Sequence, residues 1–259
     1  TETYNGAEQS VSGFTGAPEG ADFSAITVGA KGTDAGKYDA AFAEGTVGAI
    51  DGTKKYIVTV ATDGKLTITK RAVTLTSGSA EKVYDGTALT NDTVTATGFV
   101  TGEGATYDVT GTITNIGEVG NTFTYALNEN TKADNYTIAP EYGTLKITAA
   151  TDKVTVTITE HSGSAKYDGT EKTVTGYDVA ISNDLYTERD FEFSGDATIK
   201  GTDAGSYDMM LKSEDFKNTN ANFANVEFVI IDGKLVIEKR AVTLTSEGGK
   251  KVYDGTPLT

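Results

Sequence analysis

Apolar residues alternate with threonine or charged residues along most of the chain, as in strands with one buried and one solvated face. Residues 154–158 alternate valine or isoleucine with threonine, and residues 107–114 and 122–127 follow the same period of two. No stretch of the sequence carries the spacing of an amphipathic helix over a window of about 11 residues. The best helical candidate is a single turn at 213–216, which Ser213 could cap. The pattern predicts an all-β protein.

Long segments of the sequence recur at a fixed distance. Residues 63–77 return with two changes as residues 232–246, and residues 31–36 return unchanged as residues 200–205, both 169 positions later. The motif Tyr-Asp/Asn-Gly occurs four times, at Tyr4, Tyr84, Tyr167 and Tyr253. Recurrence of this kind is typical of tandem repeat modules.

The repeats divide the chain into modules of two types, A and B. Residues 1–70 are predicted as a type A module whose first strand is missing, 71–150 as type B, 151–239 as type A, and 240–259 as the start of a further type B module. Six or seven short strands in about 80 residues predict a small, immunoglobulin-like β-sandwich. A β-grasp-like α+β module is the alternative. Both ends of the chain fall inside a module, so we expect a piece of a longer array.

The joins between modules are short. No tract rich in proline, glycine or serine lies at 70–71, 149–151 or 239–240. Short joins restrict the angles between neighbours, so we expect a rod in which each module's partners are the neighbouring repeats of the same chain. At about 3.3 Å per strand residue, a module would be roughly 35–40 Å long and three would span roughly 110–130 Å.

Charge and the rare residue types exclude several classes of function. With 22 basic and 37 acidic residues the formal net charge is −15, which disfavours nucleic acid and anionic membrane surfaces. Cysteine is absent and histidine occurs once, which excludes thiolate catalysis, disulfides, iron–sulfur clusters and multi-histidine metal sites. No apolar run approaches the roughly 20 residues that span a bilayer. We expect no cofactor, no nucleic-acid partner and no membrane insertion in this segment.

The Tyr-Asp/Asn-Gly motif has two interpretations, a calcium-binding loop or a tight turn. Carboxylate oxygens suit calcium, whereas Asp-Gly and Asn-Gly close turns in which glycine takes a positive φ. Asn5 keeps the turn propensity without the carboxylate, and no loop has EF-hand spacing, so we predict turns and no metal. Asp34 and Asp203, in Gly-Thr-Asp-Ala-Gly, are likewise predicted turn residues. The structural turn residues are Tyr4, Asn5, Gly6, Tyr84, Asp85, Gly86, Tyr167, Asp168, Gly169, Tyr253, Asp254 and Gly255.

Signatures of catalysis are missing from the sequence. His161 precedes a glycine turn, but no Gly-x-Ser-x-Gly elbow accompanies it and module one has no equivalent, so we interpret it as a solvated loop histidine. Sequence alone leaves carboxylate pairs for glycoside hydrolysis open. Acids placed by the turns of repeated modules are nevertheless typical of a surface. We predict that the segment is not an enzyme.

Aromatic side chains are the remaining candidates for ligand contact. Tyr177, Tyr186, Phe191 and Phe193 lie where the third module is longer than the first, and aromatic faces on loops can stack on sugars. Phe191 and Phe193 are spaced by two, which fits core packing on one strand face better. Tyr186 is therefore the predicted contact residue.

Residues 82–87 (Lys-Val-Tyr-Asp-Gly-Thr), 120–125, 135–138 and 143–148 resemble the tandem YDG/MBG-type repeats of Gram-positive bacterial surface adhesins. The type A modules, with Lys-Gly-Thr-Asp-Ala-Gly before an aromatic strand, resemble partner repeats of the same proteins. The resemblance implies an extracellular location at the bacterial cell wall and a non-catalytic stalk or spacer that projects or builds an adhesive fibre. The alternative is a glycan- or mucin-binding adhesin module, with host glycans or mucin as partners.

Two further expectations concern crosslinking and association. Gram-positive surface domains often carry Lys–Asn isopeptide bonds, so the resemblance implies Lys82 and Asn135 as a conceivable pair. Module one lacks the strand that residues 154–158 supply in module three, which leaves an edge open to another chain's strand. Residues 241–245 alternate correctly for that role. The tail is therefore expected either to fray or to link chains by head-to-tail self-association.

Overall fold

The structure is a computed structural model, and it describes residues 1–43, 54–59 and 64–258. The chain forms two compact units, Thr1–Thr148 and Ala149–Thr259. The first unit contains the predicted modules one and two, and the second contains module three and the tail. Regular structure in the described ranges consists of strands and one-turn 3₁₀ helices. The prediction of an all-β chain is confirmed, and the described residues contain no α-helix of the kind that the β-grasp alternative requires.

The strands of the first unit are β1 (Glu2–Thr3), β2 (Gln9–Ser12), β3 (Val28–Gly32), β4 (Gly36–Phe42), β5 (Gly64–Thr69), β6 (Arg71–Ser77), β7 (Ala80–Val83), β8 (Val94–Thr97), β9 (Ala105–Val109), β10 (Gly117–Gly120), β11 (Phe123–Leu127), β12 (Tyr136–Glu141) and β13 (Thr144–Thr148). Those of the second unit are β14 (Val154–Glu160), β15 (Gly163–Lys166), β16 (Lys172–Thr175), β17 (Tyr177–Ile181), β18 (Phe191–Phe193), β19 (Thr198–Gly201), β20 (Gly205–Asp208), β21 (Phe216–Asn218), β22 (Val226–Ile231) and β23 (Lys234–Glu238).

All three modules contain the same three-stranded arrangement around their closing strand. β5, β13 and β23 each pair in parallel with the strand that ends just before the Tyr-Asp/Asn-Gly turn, which is β1, β7 or β15. Each also pairs antiparallel with a strand that begins at a glycine, which is β4, β10 or β20. Modules one and three share the register, since Gly36 faces Ile68 and Gly205 faces Ile237. The fixed distance between the sequence repeats therefore also separates equivalent structural positions.

Modules two and three also share a central first strand. β6 lies between the parallel strand β12 and the antiparallel strand β8, and β14 lies between β22 and β17 in the same way. Every second side chain of these strands is buried, among them Val73 and Leu75 in β6 and Val156 and Ile158 in β14. The described residues of module one form no strand in this position.

The hydrophobic core of the first unit crosses the predicted boundary at residue 70. Side chains of both modules form one buried cluster, which consists of Tyr4, Val28, Ala30, Ala40, Leu66, Ile68, Val73, Leu75, Phe123 and Tyr136. Full burial of one large apolar side chain contributes about 1.5–3 kcal/mol. A shared core, and not only a short join, therefore holds modules one and two together.

Single 3₁₀ turns lie at Ala133–Asn135, Glu188–Asp190 and Ser213–Asp215. The predicted helical turn at 213–216 is therefore a 3₁₀ turn, and its N-cap is Lys212, so the prediction of Ser213 as the cap is wrong. The Lys212 N–H donates to Asp215 Oδ2 at 2.8 Å, because an acid at the third position can reach back to the cap amide. No helix in the described ranges is long and apolar enough to cross a membrane.

Candidate functional site at the junction of modules one and two

Two turns of module one carry its side of the junction. Tyr4 follows β1, and its N–H donates to the Thr69 carbonyl at 2.9 Å, which extends the parallel ladder by one residue. Asp34 lies in the turn between β3 and β4, where the Tyr38 hydroxyl donates to the Asp34 carbonyl at 2.8 Å. A Cβ at Gly32 would lie 2.3 Å from the Tyr38 ring, so glycine is needed for this packing. The recurring Lys-Gly-Thr-Asp-Ala-Gly run thus builds a tyrosine-supported turn.

Asn135 of module two holds the Asp34 turn through both ends of its side-chain amide. Asn135 Nδ2 donates to Asp34 Oδ1 at 2.9 Å, and Asn135 Oδ1 accepts from the Ala35 N–H at 2.7 Å. Lys132 Nζ donates to the other oxygen, Asp34 Oδ2, at 2.7 Å. The bonds from Asn135 and then Lys132 lower the pKa of the Asp34 carboxyl. Asn135 is 1% exposed, so its amide meets the rule that buried polar groups find partners.

Two tyrosines, one from each module, converge on a single carboxylate of module two. The Tyr4 hydroxyl donates to Glu103 Oε1 at 2.5 Å, and the Tyr136 hydroxyl donates to Glu103 Oε2 at 2.9 Å. The two rings meet edge to face, with centroids 5.4 Å apart. Burial, assisted by the bond to Glu103, raises the pKa of Tyr4 to about 12, and burial also raises the pKa of Tyr136. Both hydroxyls are therefore held protonated as donors.

Gly6 allows module two to approach the first Tyr-Asn-Gly turn closely. Its φ is +79°, and a Cβ at this position would lie 2.7 Å from Val100 Cγ1. Glycine is therefore required by the backbone and by the neighbouring module. Together with the shared core, these contacts make the junction a close-packed interface in which Asp34, Asn135 and Glu103 are hydrogen-bonded.

The twelve predicted turn residues occupy four similar turns. The φ angles are 79° at Gly6, 78° at Gly86, 81° at Gly169 and 80° at Gly255. In each turn the Asp or Asn side chain accepts the N–H two residues later, the pattern of an Asx turn. The pairs, all at 2.9–3.0 Å, are Asn5 with Ala7, Asp85 with Thr87, Asp168 with Thr170 and Asp254 with Thr256.

The aspartates of these turns are also paired with lysine. Lysine ammonium groups donate to Asp85, Asp168 and Asp254 and are the main reason why the pKa of each carboxyl lies below its usual range. In the part of the chain that the structure describes, no group of three or more acidic or histidine side chains could hold a metal ion. The turn carboxylates serve the backbone and the neighbouring lysines.

Tyr186 lies in the core of the second unit, so the prediction of an exposed contact residue is corrected. Its side chain is 2% exposed, and its hydroxyl donates to the Asp190 carbonyl at 2.9 Å. Its ring meets Phe223 edge to face with centroids 5.2 Å apart. Burial raises the pKa of the hydroxyl to about 12. The turn at Asn183 misled the sequence interpretation: the Tyr186 N–H donates to the Asn183 carbonyl at 3.1 Å, so Tyr186 lies in a turn, yet its ring packs in the core.

The other aromatic candidates pack against one another in module three. Phe193 stacks on Phe216 with ring centroids 4.8 Å apart, and Tyr177 meets Phe193 edge to face at 5.2 Å. Phe191 meets Phe228 at 5.4 Å. Phe216 is buried and the other four rings are half-buried, so these side chains pack as an aromatic cluster.

His161 contacts two neighbouring strands of module three, and Lys82 binds the turn that follows its own strand. His161 Nδ1 lies 2.8 Å from the Thr175 carbonyl oxygen and Nε2 lies 3.3 Å from Asp178 Oδ1; these contacts raise the pKa of the imidazole. Lys82 Nζ donates to Asp85 Oδ1 at 2.7 Å. Because Asn135 holds the Asp34 turn instead, the suggested Lys82–Asn135 crosslink does not match the observed contacts.

Sequence reasoning missed an aromatic group in module one, in which Phe14 and Tyr56 are exposed and Phe23 and Phe42 are half-buried. The rings of Phe14 and Phe23 lie 6.2 Å apart, and those of Phe23 and Tyr56 lie 6.1 Å apart. Aligning the Tyr-Asp/Asn-Gly motifs of modules one and three could have found the group, because it places Phe14 and Phe23 on Tyr177 and Tyr186. Phe14 and Phe23 thus correspond to packed positions of module three, since Tyr177 contacts Phe193 and Tyr186 is buried.

Comparison with known protein families bears on the third module. The family model of the MBG domain matches residues 153–239, which lie within the second unit. The match falls on a type A module, whereas the residues that first suggested the resemblance lie in the type B module. No curated protein and no solved structure matches the chain. The third module is therefore similar to the MBG domain family and is of MBG type.

Proposed function

We propose that this segment is a non-catalytic repeat region of an extracellular protein on the surface of a Gram-positive bacterium, where it acts as a stalk or spacer. The junction of modules one and two carries the proposal. A spacer needs fixed angles between its modules. The Asn135–Asp34 contact is a directional bond between two modules, and modules joined only by a flexible linker would have no such bond. The MBG match supports a repeat-type module of the kind found in such proteins.

The chemistry of the junction explains how it would resist bending. Opening it would separate Asn135 from Asp34 and Tyr4 from Glu103. Water would replace these partners in the opened state, so each hydrogen bond to a carboxylate contributes a net of about 1.5–3 kcal/mol to the closed junction. Opening would also expose apolar surface of the shared core. The closed junction is therefore expected to dominate, and the first unit would transmit force as one body.

Surface display can test the spacer role. The chain would be placed between a cell-wall anchor and an epitope on a Gram-positive cell. In a parallel strain, a Gly/Ser linker of equal length would take its place. We expect antibody to reach the epitope on the folded chain more readily, because a flexible chain of 259 residues coils back on itself. The Asn135→Ala variant should reduce the difference, with Asn130→Ala as the exposed control. Equal access for the chain and the linker would contradict the proposal.

Glycan binding is the second candidate, and the aromatic group of module one favours it. Phe14 and Tyr56 present open ring surface, which suits sugar stacking. In module three the counterpart of Phe14, Tyr177, is half-buried in the aromatic cluster, which weakens the case. A glycan and mucin array with the intact chain and Tyr56→Ala decides between the functions, with Tyr253→Ala as the control. Binding lost only in Tyr56→Ala would replace the spacer proposal, and no binding by the intact chain would remove the adhesin alternative.

A further inference from the structure

Module three carries a surface with the same residues that module one uses at the junction. The module-three surface is a shallow depression lined by Tyr167, Asp203, Ala204, Lys239 and Arg240. Aligning the repeats gives their counterparts in module one and at its join, which are Tyr4, Asp34, Ala35, Lys70 and Arg71. All five positions therefore carry the same residue types in the two modules.

The backbone under the two surfaces is the same. The Tyr167 N–H donates to the Glu238 carbonyl at 2.9 Å, as Tyr4 does to the carbonyl of Thr69. The Tyr207 hydroxyl donates to the Asp203 carbonyl at 3.0 Å and supports the turn from below, as in module one. A Cβ at Gly201 would again collide with the supporting tyrosine ring, at 2.5 Å. The module-three surface is therefore preformed.

What differs is the cover. Tyr4 is 5% exposed under module two, whereas Tyr167 is 39% exposed. A Cβ at Gly6 would strike Val100, but one at Gly169 would meet nothing within 4 Å. The Asp203 carboxylate, unlike that of Asp34, has no hydrogen-bond or ion-pair partner among the described residues. The surface has the residues of the junction without the module that covers it.

Residues 240–259 follow directly after this surface in the chain, and their sequence is similar to the start of module two, which covers the equivalent surface of module one. Residues 240–259 are identical to residues 71–90 at 15 of 20 positions. Val73 and Leu75 are buried in β6, yet their counterparts Val242 and Leu244 are 77% and 91% exposed. Partner strands corresponding to β8 and β12 are needed to bury them.

We propose that the module-three surface is a docking site for a type B module, the one that residues 240–259 open. An asparagine equivalent to Asn135 would bind Asp203 and the Ala204 N–H, and a lysine equivalent to Lys132 would neutralise the Asp203 carboxylate. A glutamate equivalent to Glu103 would accept from the Tyr167 hydroxyl. The inference goes beyond the proposed function, since docking can occur whether or not the array is displayed on a cell.

A lengthened chain tests the docking. A copy of residues 91–148 placed after Thr259 completes the type B module, and hydrogen exchange then reports on the Ala204 amide. We expect exchange at Ala204 to slow at least about tenfold relative to the original chain, because the amide gains a buried acceptor. Substituting alanine for the asparagine in the added copy should restore fast exchange. The matched control, Asn135→Ala in module two, should accelerate exchange at Ala35 and leave Ala204 unchanged.

Three results would overturn the proposal. The first is an added module with protected strands but an Ala204 amide that exchanges as before. The second is an added segment whose amides stay unprotected. Nearly the same residues fold as module two beside module one, so they should also fold beside module three if its surface is equivalent. The third is protection of Ala204 in the original chain that rises with protein concentration, which would assign the surface to a second copy.

Discussion

Single residues at the junction separate the requirements of a turn from those of an interface. Gly6 and Gly169 have nearly the same φ, yet only Gly6 lies against another module. The sequence predicted both turns from the motif alone, since Asx chemistry and positive φ are local properties. It did not predict that Asn135 would bind Asp34, because a contact between residues so far apart in the chain depends on how two modules pack.

Alanine at Gly6 and Gly169 gives a matched pair of variants. Both substitutions place a side chain at positive φ, which costs about 1–2 kcal/mol. Gly6→Ala also drives a Cβ into Val100, and overpacking of this kind costs about 1–3 kcal/mol more. Urea unfolding of the intact chain, followed by amide resonances of each unit, should show the larger loss in the first unit. Equal losses in the two units would mean that the junction does not restrict Gly6.

Tyr4 gives the junction a dependence on alkaline pH. Its pKa is raised to about 12 from an ordinary value near 10, so the folded state favours the protonated hydroxyl. This contribution is complete below about pH 10 and is lost as the pH rises through about 12. Urea midpoints of the first unit should fall between these values, and Tyr4→Phe should flatten the decline. An unchanged decline in Tyr4→Phe would assign it to other groups.

At the level of elements, one sequence adopts two states in the same chain. Arg-Ala-Val-Thr-Leu-Thr-Ser forms β6 at residues 71–77 and an irregular segment at 240–246. Period-two alternation predicted strands such as β9 and β11 in module two and β14 in module three, because it reports which faces can be buried. It could not predict the difference between these two copies, since a strand forms only where neighbours pair with it.

The irregular structure of the tail leads to a prediction about whether chains associate with one another. Type A and type B modules differ in sequence, so a donated tail would fit the open edge of module one in an imperfect register. We therefore expect the frayed state, and deleting residues 241–259 should leave the sedimentation profile unchanged across a concentration series. Larger species that grow with concentration and vanish on deletion would instead establish strand exchange between chains.

For the whole molecule, the modules predicted from the sequence and the compact units of the structure coincide only in part. The repeats predicted modules 1–70 and 71–150, and the structure joins them in one unit through the buried cluster around Tyr4 and Tyr136. Composition could not predict this, because a sequence shows which residues are apolar and not which module they face. The enzyme and localisation expectations stay predictions.

Small-angle scattering tests the predicted rod on the intact chain. Three modules in line should give a maximum dimension of roughly 110–130 Å at the rise per residue of a strand. A globular chain of 259 residues would have a radius of gyration of about 18 Å. A measured radius near that value would refute the rod.

The recurrence of one turn in modules one and three has a consequence for how such a gene can change length. Modules one and three carry the same turn, and module one presents it to a type B neighbour, so the A-to-B contact is the element that must be preserved. Recombination that adds or removes an A–B pair keeps the A-to-B contact intact, whereas loss of a single module separates a type A turn from the type B module that it binds. Natural length variants should therefore differ by whole pairs, and intermediate lengths should be rare.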